Sequence, residues 1–509
     1  MLAMPAHILH HKRRGVLIKL GKEIQRDNRE QFRLSFCCGD EEYARHISSL
    51  IHKVWEKRMM KKIYLKKLLY IAVPIILSNI IGQLQMLIDR VFLGRMNSMY
   101  MSALGNVNSP VWTTMSFCFS IVTGASILIS QGVGAGDTEK TREYASSMMK
   151  WSNVLPVLLF LFWTFCSRWV FQMMGVSDTV MKMCLGYIRF YAPIFLVIGM
   201  ESSCMVILQT SNYTKPLVLF GIVRAGLNVL LDWILIFGKF GLPALGIEGA
   251  AIATTIAEYA GFLYAMYVFM TCKQLHTRPK LSEIAKAKLM PYLKSVGLGI
   301  HTALEDFAWN LGNLMLIRIL NTINEMAAGI YSIVFGVEVL VVVVIGAIGN
   351  GTMTLTGEAK GRKDLAQYKG IVSIAYFLSA AVSVIMLVVC FLKPDMIIGL
   401  FTTDQAVIRM CGLYLMIMCF NLFAKAGNIV VGNGIRGSGD TRWMFLTQIF
   451  GTCFVVACAA LFVFGLGLGI VGVFMAVLTD EYVRAVINLL RFQYITKHWE
   501  GSEAKESLL

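Results

Sequence analysis

Four polar side chains in otherwise apolar stretches have the types and spacing of a small cation-binding site. Asp89 lies near the end of the apolar run at 68–94. Asn228 and Asp232 lie in a second such run, and Thr254 lies in a third. A carboxylate inside a bilayer costs on the order of 2.5–3.5 kcal/mol, so a buried acid needs a partner or a function that offsets this cost. The simpler alternative for Asp89 is an acid that reaches the membrane interface.

The spacing predicts that these four side chains meet. Asn228 and Asp232 are four residues apart and therefore share one helix face. At a rise of 1.5 Å per residue, Asp89, Asp232 and Thr254 each lie about 8–10 Å below the outer end of their helix. Two carboxylates, an amide oxygen and a hydroxyl form a hard oxygen site suited to sodium, and crowding of the two acids lets a proton take its place. For Thr254 alone, ordinary helix packing is the alternative.

The second half of the chain carries a less clear set of acids. Four of them fall near mid-membrane by the same count: Glu305, Asp306, Glu338 and Asp480. We expect them to line a cavity as an acidic surface for cationic compounds. The alternative is that some of them pair with Lys425 or Arg318, or lie closer to an interface.

Composition identifies the class of protein. Hydrophobic residues make up 56% of the chain and charged residues 15%, and the mean hydropathy is +0.63. These values exclude a soluble enzyme and a disordered chain and indicate a polytopic membrane protein. The net charge of +16 comes from lysines and arginines in the N-terminal tail and in alternate loops, so no nucleic-acid partner is expected. The cysteines show no metal-binding spacing, and no cofactor is expected beyond a coupling ion, sodium or proton.

The apolar segments predict an all-α protein with twelve membrane spans. They are, in order, 66–94, 101–131, 145–172, 182–208, 215–238, 247–272, 290–319, 327–355, 366–392, 405–432, 442–465 and 470–495. The loops on one side are much more basic than those on the other, and the most basic is the loop between spans 6 and 7. The positive-inside rule therefore places both termini in the cytoplasm.

The predicted organisation is two lobes with polar ends. It comprises a polar tail (1–59), an N-lobe with spans 1–6 (60–272), a basic linker (273–289), a C-lobe with spans 7–12 (290–495) and a C-terminal tail (496–509). The segment 43–55 has apolar residues at helical spacing, which is typical of a helix on the cytoplasmic leaflet. The other explanation is that translation starts at Met59 or Met60 and the upstream segment is not part of the protein.

The two lobes share short motifs in the same order. The pairs are QGVGAGD at 131–137 with EAKGRKD at 358–364, Asp178 and Gly186 with Asp404 and Gly412, SNYT at 211–214 with SGDT at 438–441, and GIEG at 246–249 with GIVG at 469–472. Each unit has an even number of spans, so both enter the membrane in the same orientation. The sequence therefore predicts two parallel, pseudo-symmetric six-helix lobes with a substrate site between them.

Longer motifs resemble a known family. NVLLDWILIFG at 228–238, GLPALGIEGAAIATT at 241–255 and GIRGSGDTR at 434–442 resemble the multidrug and toxic compound extrusion (MATE) family, and the resemblance covers about 66–495. It fits best the bacterial branch that has Asn-x3-Asp in span 5. Some branches have an acid in span 10, where this sequence has Lys425, which argues against a sodium site of that kind in the C-lobe.

The resemblance implies a function. It implies an antiporter that exports amphipathic, often cationic drugs by alternating access, driven by sodium or protons, and we expect it to be a monomer in the bacterial inner membrane. Asp89, Asn228, Asp232 and Thr254 would then be the cation-coupling residues. A lipid-linked precursor flippase is the alternative, but such proteins usually have more spans and a basic cavity. An intramembrane enzyme would need a nucleophile and a base, and no such pair is evident in the sequence.

Overall fold

The structure is a computed structural model that describes residues 41–275, 277–324, 326–399 and 405–499. Regular structure in these residues is entirely helical. The N-terminal half contains α1 (Glu41–Met96), α2 (Ser98–Ala135), α3 (Thr138–Trp151), α4 (Val154–Met173), α5 (Asp178–Tyr191), α6 (Phe195–Thr210), α7 (Lys215–Phe237) and α8 (Gly246–Thr271). Consecutive helices α3 and α4 form one span, and α5 and α6 form another.

The C-terminal half repeats this order after a short linker helix. It contains α9 (Leu281–Lys286), α10 (Met290–Ile323), α11 (Ala327–Gly361), α12 (Leu365–Leu392), α13 (Pro394–Ile398), α14 (Gln405–Gly437), α15 (Thr441–Ala460) and α16 (Gly469–Lys497). The predicted all-α membrane fold is confirmed. Each of the twelve expected spans corresponds to one long helix or to a pair of consecutive helices.

Two of the expected spans differ from the others in composition. Ten helical stretches in the described residues are long and apolar enough to cross a membrane. The helices α10 and α16, expected as spans 7 and 12, are 34 and 29 residues long but are not among the ten. Both carry several charged side chains along their length, which lowers their hydropathy. Several of these charges belong to ion pairs inside the C-lobe, namely Glu305 on α10 and Asp480, Glu481, Arg484 and Arg491 on α16. Hydropathy alone therefore understates how apolar the rest of the two helices is.

The polar tail and the first span are not separated by a break. Helix α1 runs without interruption across the expected boundary at 59–60. Residues 1–40 and 500–509, with most of both expected tails, lie outside the described residues. The predicted motif aspartate Asp404 lies outside them as well.

The repeated motifs have a structural role at helix ends. Asp137 and Asp364 occupy equivalent places in the two repeats, and each caps the helix that follows it. The Asp137 carboxylate accepts a hydrogen bond of 2.9 Å from the backbone of Lys140, and that of Asp364 accepts one of 2.8 Å from Gln367. Each bond satisfies a backbone N–H that has no partner in the first helical turn. The motifs therefore encode the turns that reverse the chain.

The two halves meet through glycines at equivalent places in α2 and α11. A Cβ atom on Gly134 would overlap the carbonyl oxygen of Glu358, and a Cβ atom on Gly361 would overlap the carbonyl oxygen of Gln131. The contact is reciprocal, as a two-fold relation between repeats requires. Only glycine allows the two backbones to approach this closely.

We expect Gly134→Ala and Gly361→Ala each to destabilise the contact between the halves by about 1–3 kcal/mol, because overpacking forces the backbones apart. The measurement is the thermal unfolding midpoint of the purified protein in detergent. The matched controls are Gly105→Ala and Gly346→Ala on the same two helices, where a Cβ would meet nothing within 4 Å. Equal midpoints for the two pairs of variants would contradict the close approach of α2 and α11.

Candidate functional site

Three helices bring the four predicted coupling residues together. One terminal atom of the Asn228 amide lies 2.9 Å from Asp89 Oδ1 and 3.2 Å from Asp232 Oδ2. The other lies 3.2 Å from the hydroxyl of Thr254. The carboxyl groups of Asp89 and Asp232 thus both lie against the same atom of Asn228. We refer to Asp89 and Asp232 as the upper pair.

Local helix geometry explains this arrangement. Asn228 and Asp232 are both fully buried on one face of α7, one turn apart. Thr254 on α8 points at the same face, and its hydroxyl is held in place by a 2.9 Å hydrogen bond to the carbonyl of Ala250. Asp89 completes the site from α1. The depth of each residue in the membrane follows from its position along its helix. Tertiary packing turns the three helix faces toward one another.

The donor set fits a small cation or a proton. Two carboxyl groups in contact repel each other unless a proton or a cation lies between them. The Asn228 amide can serve both cases, because its nitrogen donates to the carboxylates and its oxygen can instead coordinate a cation. Two buried oxygens, Asp232 Oδ1 and Gln85 Oε1, have no hydrogen-bond partner in the described residues. Unpaired buried acceptors are costly and are the ligands that a sodium ion would use.

Gln85 is a site residue that sequence reasoning missed. Its side chain is 6% exposed, and its Nε2 lies 3.0 Å from the same terminal atom of Asn228 that contacts the carboxylates. It precedes Asp89 by one helical turn and so shares its face. The four-residue spacing between Gln85 and Asp89 is the sequence signal by which Gln85 could have been identified.

In the C-lobe, three of the four predicted acids form ion pairs, and two of these pairs belong to one network. Glu338 on α11 accepts a 2.7 Å hydrogen bond from Lys425 on α14, and Asp480 on α16 accepts one of 2.9 Å from Arg484. Glu481 contacts both bases, at 3.6 Å from Lys425 and 3.0 Å from Arg484. The alternative that one of the acids pairs with Lys425 therefore holds for Glu338. We refer to these five side chains as the C-lobe network.

The other two predicted acids lie next to each other on α10 but have different surroundings. Glu305 forms a salt bridge with Arg436 on α14. Asp306 accepts a 3.2 Å hydrogen bond from Ser120 on α2, across the junction between the two halves. Asp306 thus has a hydroxyl partner where the other three predicted acids have a basic one.

A cleft of about 460 Å³ opens beside the C-lobe network. It is lined by aromatic and charged side chains, among them Trp309, Tyr331, Phe335, Glu338, Lys425 and Asp480. Its charged lining is mixed, because every acid on it faces Lys425 or Arg484. The cleft therefore differs from the purely acidic surface that was expected.

Comparisons with known proteins identify the family. The family model MatE matches residues 74–234 and again 302–462, which also confirms the internal repeat. The chain is 26% identical over 442 residues to a probable multidrug resistance protein NorM from Thermotoga maritima, covering 86% of this chain and 93% of the relative. It is 24% identical to the uncharacterized transporter YisQ of Bacillus subtilis, over 80% of this chain and 89% of that one.

Solved structures share the fold. One described as the outward-facing conformation of a multidrug resistance MATE family transporter has a TM-score of 0.80 at 19% identity, covering 85% of this chain and 96% of that chain. A second, a MOP superfamily transporter from Pyrococcus furiosus whose binding pocket is described as having reverse polarity, has a TM-score of 0.79 at 18% identity, over 86% of this chain and 97% of that one. The family model covers more than half of the sequence, and this chain therefore belongs to the MatE family, a family of membrane transporters and not of enzymes.

Proposed function

We propose that this protein is a cation-coupled antiporter that exports amphipathic, often cationic drugs or toxic compounds by alternating access. The observation that carries the proposal is the cluster of oxygens at Asp89, Asn228 and Asp232, with the unpartnered oxygens of Asp232 and Gln85 beside it. A coupling site of this kind has no use in a passive channel. The names of the relatives, several of them multidrug resistance proteins, support export of drugs.

The upper pair lies in the outer half of the membrane by residue count, so an external cation reaches it from the outward-open state. A bound proton or sodium ion removes the repulsion between the two carboxylates and lets α1 and α7 pack more closely. A ligand shifts a conformational equilibrium only by its different affinity for the two states. Cation and drug therefore favour different conformations, and each weakens the other's binding.

The proposed location is the bacterial inner membrane, with both termini in the cytoplasm. The basic loops, with Lys140, Arg278, Lys286 and Arg362 among them, support this orientation by the positive-inside rule. A monomer is proposed as the working unit, because each chain contains both lobes.

The coupling ion is identified by reconstitution. Liposomes that contain the purified protein are loaded with a fluorescent cationic substrate. Efflux of the substrate is then followed under an imposed sodium gradient and, separately, under an imposed pH gradient. We expect one gradient to accelerate efflux and dissipation of that gradient to abolish the acceleration. Efflux that responds to neither gradient would refute cation coupling.

Asp306 is the predicted cavity acid best placed to meet a cationic substrate, because it lies at the junction between the halves and forms no ion pair with a basic side chain of the described residues. We expect Asp306→Asn to weaken binding of a monocationic substrate about fivefold, the loss of about 1 kcal/mol from one partly exposed charge. The measurement is fluorescence titration in detergent. An uncharged analogue of the substrate is the control and should bind both proteins equally. Equal loss for both compounds would show that the change is not electrostatic.

A further inference from the structure

The polar faces of α7 and α8 continue beyond the upper pair. Arg224 lies one turn before Asn228 on α7, and Glu258 lies one turn after Thr254 on α8. Their side chains meet at 3.0 Å, just as Asn228 and Thr254 meet one turn above. One helical turn is about 5.4 Å, so this second polar layer lies two turns from Asp232, away from the outer end of α7.

Arg224 is held on three sides. Its guanidinium lies over the ring of Phe220 at 5.5 Å from the centroid. It also faces α1, where a Cβ built on Gly82 would be 3.2 Å from Nη2. Its Nη1 bonds Glu258, whereas its Nε is buried and has no acceptor in the described residues. Arg224 therefore uses Nη1 to bond Glu258, and the N–H of its buried Nε is still available as a donor.

Glu201 on α6 lies within electrostatic reach of this pair. Its side chain is 8% exposed, and among the described residues no group donates a hydrogen bond to it or forms an ion pair with it. The charged groups that act on it are Glu258 from α8 and Arg224 from α7. The remaining titratable neighbours are Cys204 on its own helix and Tyr191 on α5, which lies in the field of the same two charges. We refer to Glu201, Arg224 and Glu258 as the lower cluster.

The charge of the lower cluster does not balance. The cluster has two carboxylates and one guanidinium. Because Arg224 forms its ion pair with Glu258, the charge of Glu201 is left without a counter-charge. An unpaired carboxylate buried in an apolar surround is costly enough that the group takes up a proton instead. A sodium ion beside Glu201 would be repelled by Arg224. A proton is therefore the cation that the Glu201 carboxylate binds.

We propose that Glu201 is a second proton-exchange site, separate from the upper pair, at which Arg224 and a proton are alternative partners. When Arg224 bonds Glu258 alone, the Glu201 carboxyl holds the proton. When Nη1 of Arg224 keeps its bond to Glu258 and the free Nε bonds Glu201 as well, the Glu201 carboxyl releases its proton to water and the guanidinium is shared by the two carboxylates. Contact of Arg224 with Gly82 links this exchange to the position of α1. The proposal does not depend on which cation the upper pair binds.

The test is infrared difference spectroscopy of the full-length protein in lipid as the pH is raised, read at the carbonyl stretch of protonated carboxylic acids. Asp89→Asn with Asp232→Asn serves as the background, so the upper pair contributes nothing. We expect one protonated carboxyl per molecule to titrate in this background and to be absent when Glu201→Gln is added. Glu139→Gln, at an exposed glutamate on α3, should leave the band unchanged.

A second variant distinguishes the charge argument from a simple loss of structure. In Glu258→Gln, Arg224 loses its partner and becomes free to neutralise Glu201, so the same band should disappear although Glu201 is intact. A band that persists in Glu201→Gln overturns the assignment. A band unchanged in Glu258→Gln overturns the role of Arg224 as the alternative partner. Because the upper pair is absent from every sample, a failed gradient experiment would leave this result unaffected.

Discussion

Asn at position 89 or 232 is expected to reduce gradient-driven efflux by about 5- to 150-fold, the range that corresponds to a coupling free energy of about 1–3 kcal/mol. Asp89→Asn and Asp232→Asn each remove one of the two charges whose repulsion a bound cation relieves. Asparagine has the size of aspartate and keeps the hydrogen bonds of the site, so the fold should be retained. The measurement is efflux from liposomes under the driving gradient, with Asp178→Asn at an exposed site on α5 as the matched control.

The same variants test the direction of the coupling. In the native protein, the affinity for a fluorescent cationic substrate should fall as either sodium or proton concentration rises, because cation and drug favour different conformations. In Asp89→Asn that dependence should vanish. Variants that pump at the native rate, or an affinity that neither ion changes, would remove Asp89 and Asp232 from the coupling mechanism while leaving the fold assignment intact.

Lys425→Met is expected to destabilise the C-lobe by about 3–5 kcal/mol, the cost of breaking a buried ion pair by removing one partner. Lys425 contacts Glu338 at 2.7 Å and Glu481 at 3.6 Å, and all three side chains are largely buried. Glu481 keeps Arg484 as a partner, so Glu338 is the carboxylate that is left without a basic partner. The measurement is the thermal unfolding midpoint in detergent together with the yield of folded protein.

A double variant separates charge from packing. Glu338→Gln added to Lys425→Met removes the unpaired carboxylate, so it should restore most of the lost stability. Lys369→Met, at an exposed lysine on α12, is the control and should leave the midpoint nearly unchanged. A double variant no more stable than Lys425→Met would mean that Lys425 acts through the packing of its aliphatic chain rather than through its charge.

Part of the coupling site could be predicted from the sequence because helix geometry is local. The rise per residue fixes the depth of Asp89, Asp232 and Thr254, and the four-residue spacing fixes the common face of Asn228 and Asp232. The structure brings all four side chains together, as expected. Gln85 obeys the same rule one turn before Asp89, but a single uncharged amide in an apolar run gives too weak a signal to be chosen in advance.

The surroundings of the C-lobe acids could not be predicted in this way. The sequence allowed some of these acids to pair with Lys425 or Arg318 but could not show which one, and Glu338 and Lys425 are 87 positions apart. Whether an acid at mid-membrane faces a cavity or a base depends on how its helix is rotated against its neighbours. That rotation is set by side-chain packing along the whole helix, and no local pattern encodes it. Hydropathy likewise understated α10 and α16, because part of their charge is neutralised in ion pairs, that of Glu305 with Arg436 on α14 and that of Asp480 with Arg484 on α16 itself.

The sequence by itself determined the class of the protein, its repeat and the level of each polar residue, since composition, motif order and helix rise are properties of the chain alone. The tertiary structure decided which residues at one level meet. It placed Glu201 of α6 near Arg224 and Glu258 with no hydrogen-bond partner among the described residues, and it paired Glu338 of α11 with Lys425 of α14. The physical reason is that a buried charge is stabilised or left unpaired according to the groups within a few ångströms of it, and those groups come from helices distant in sequence.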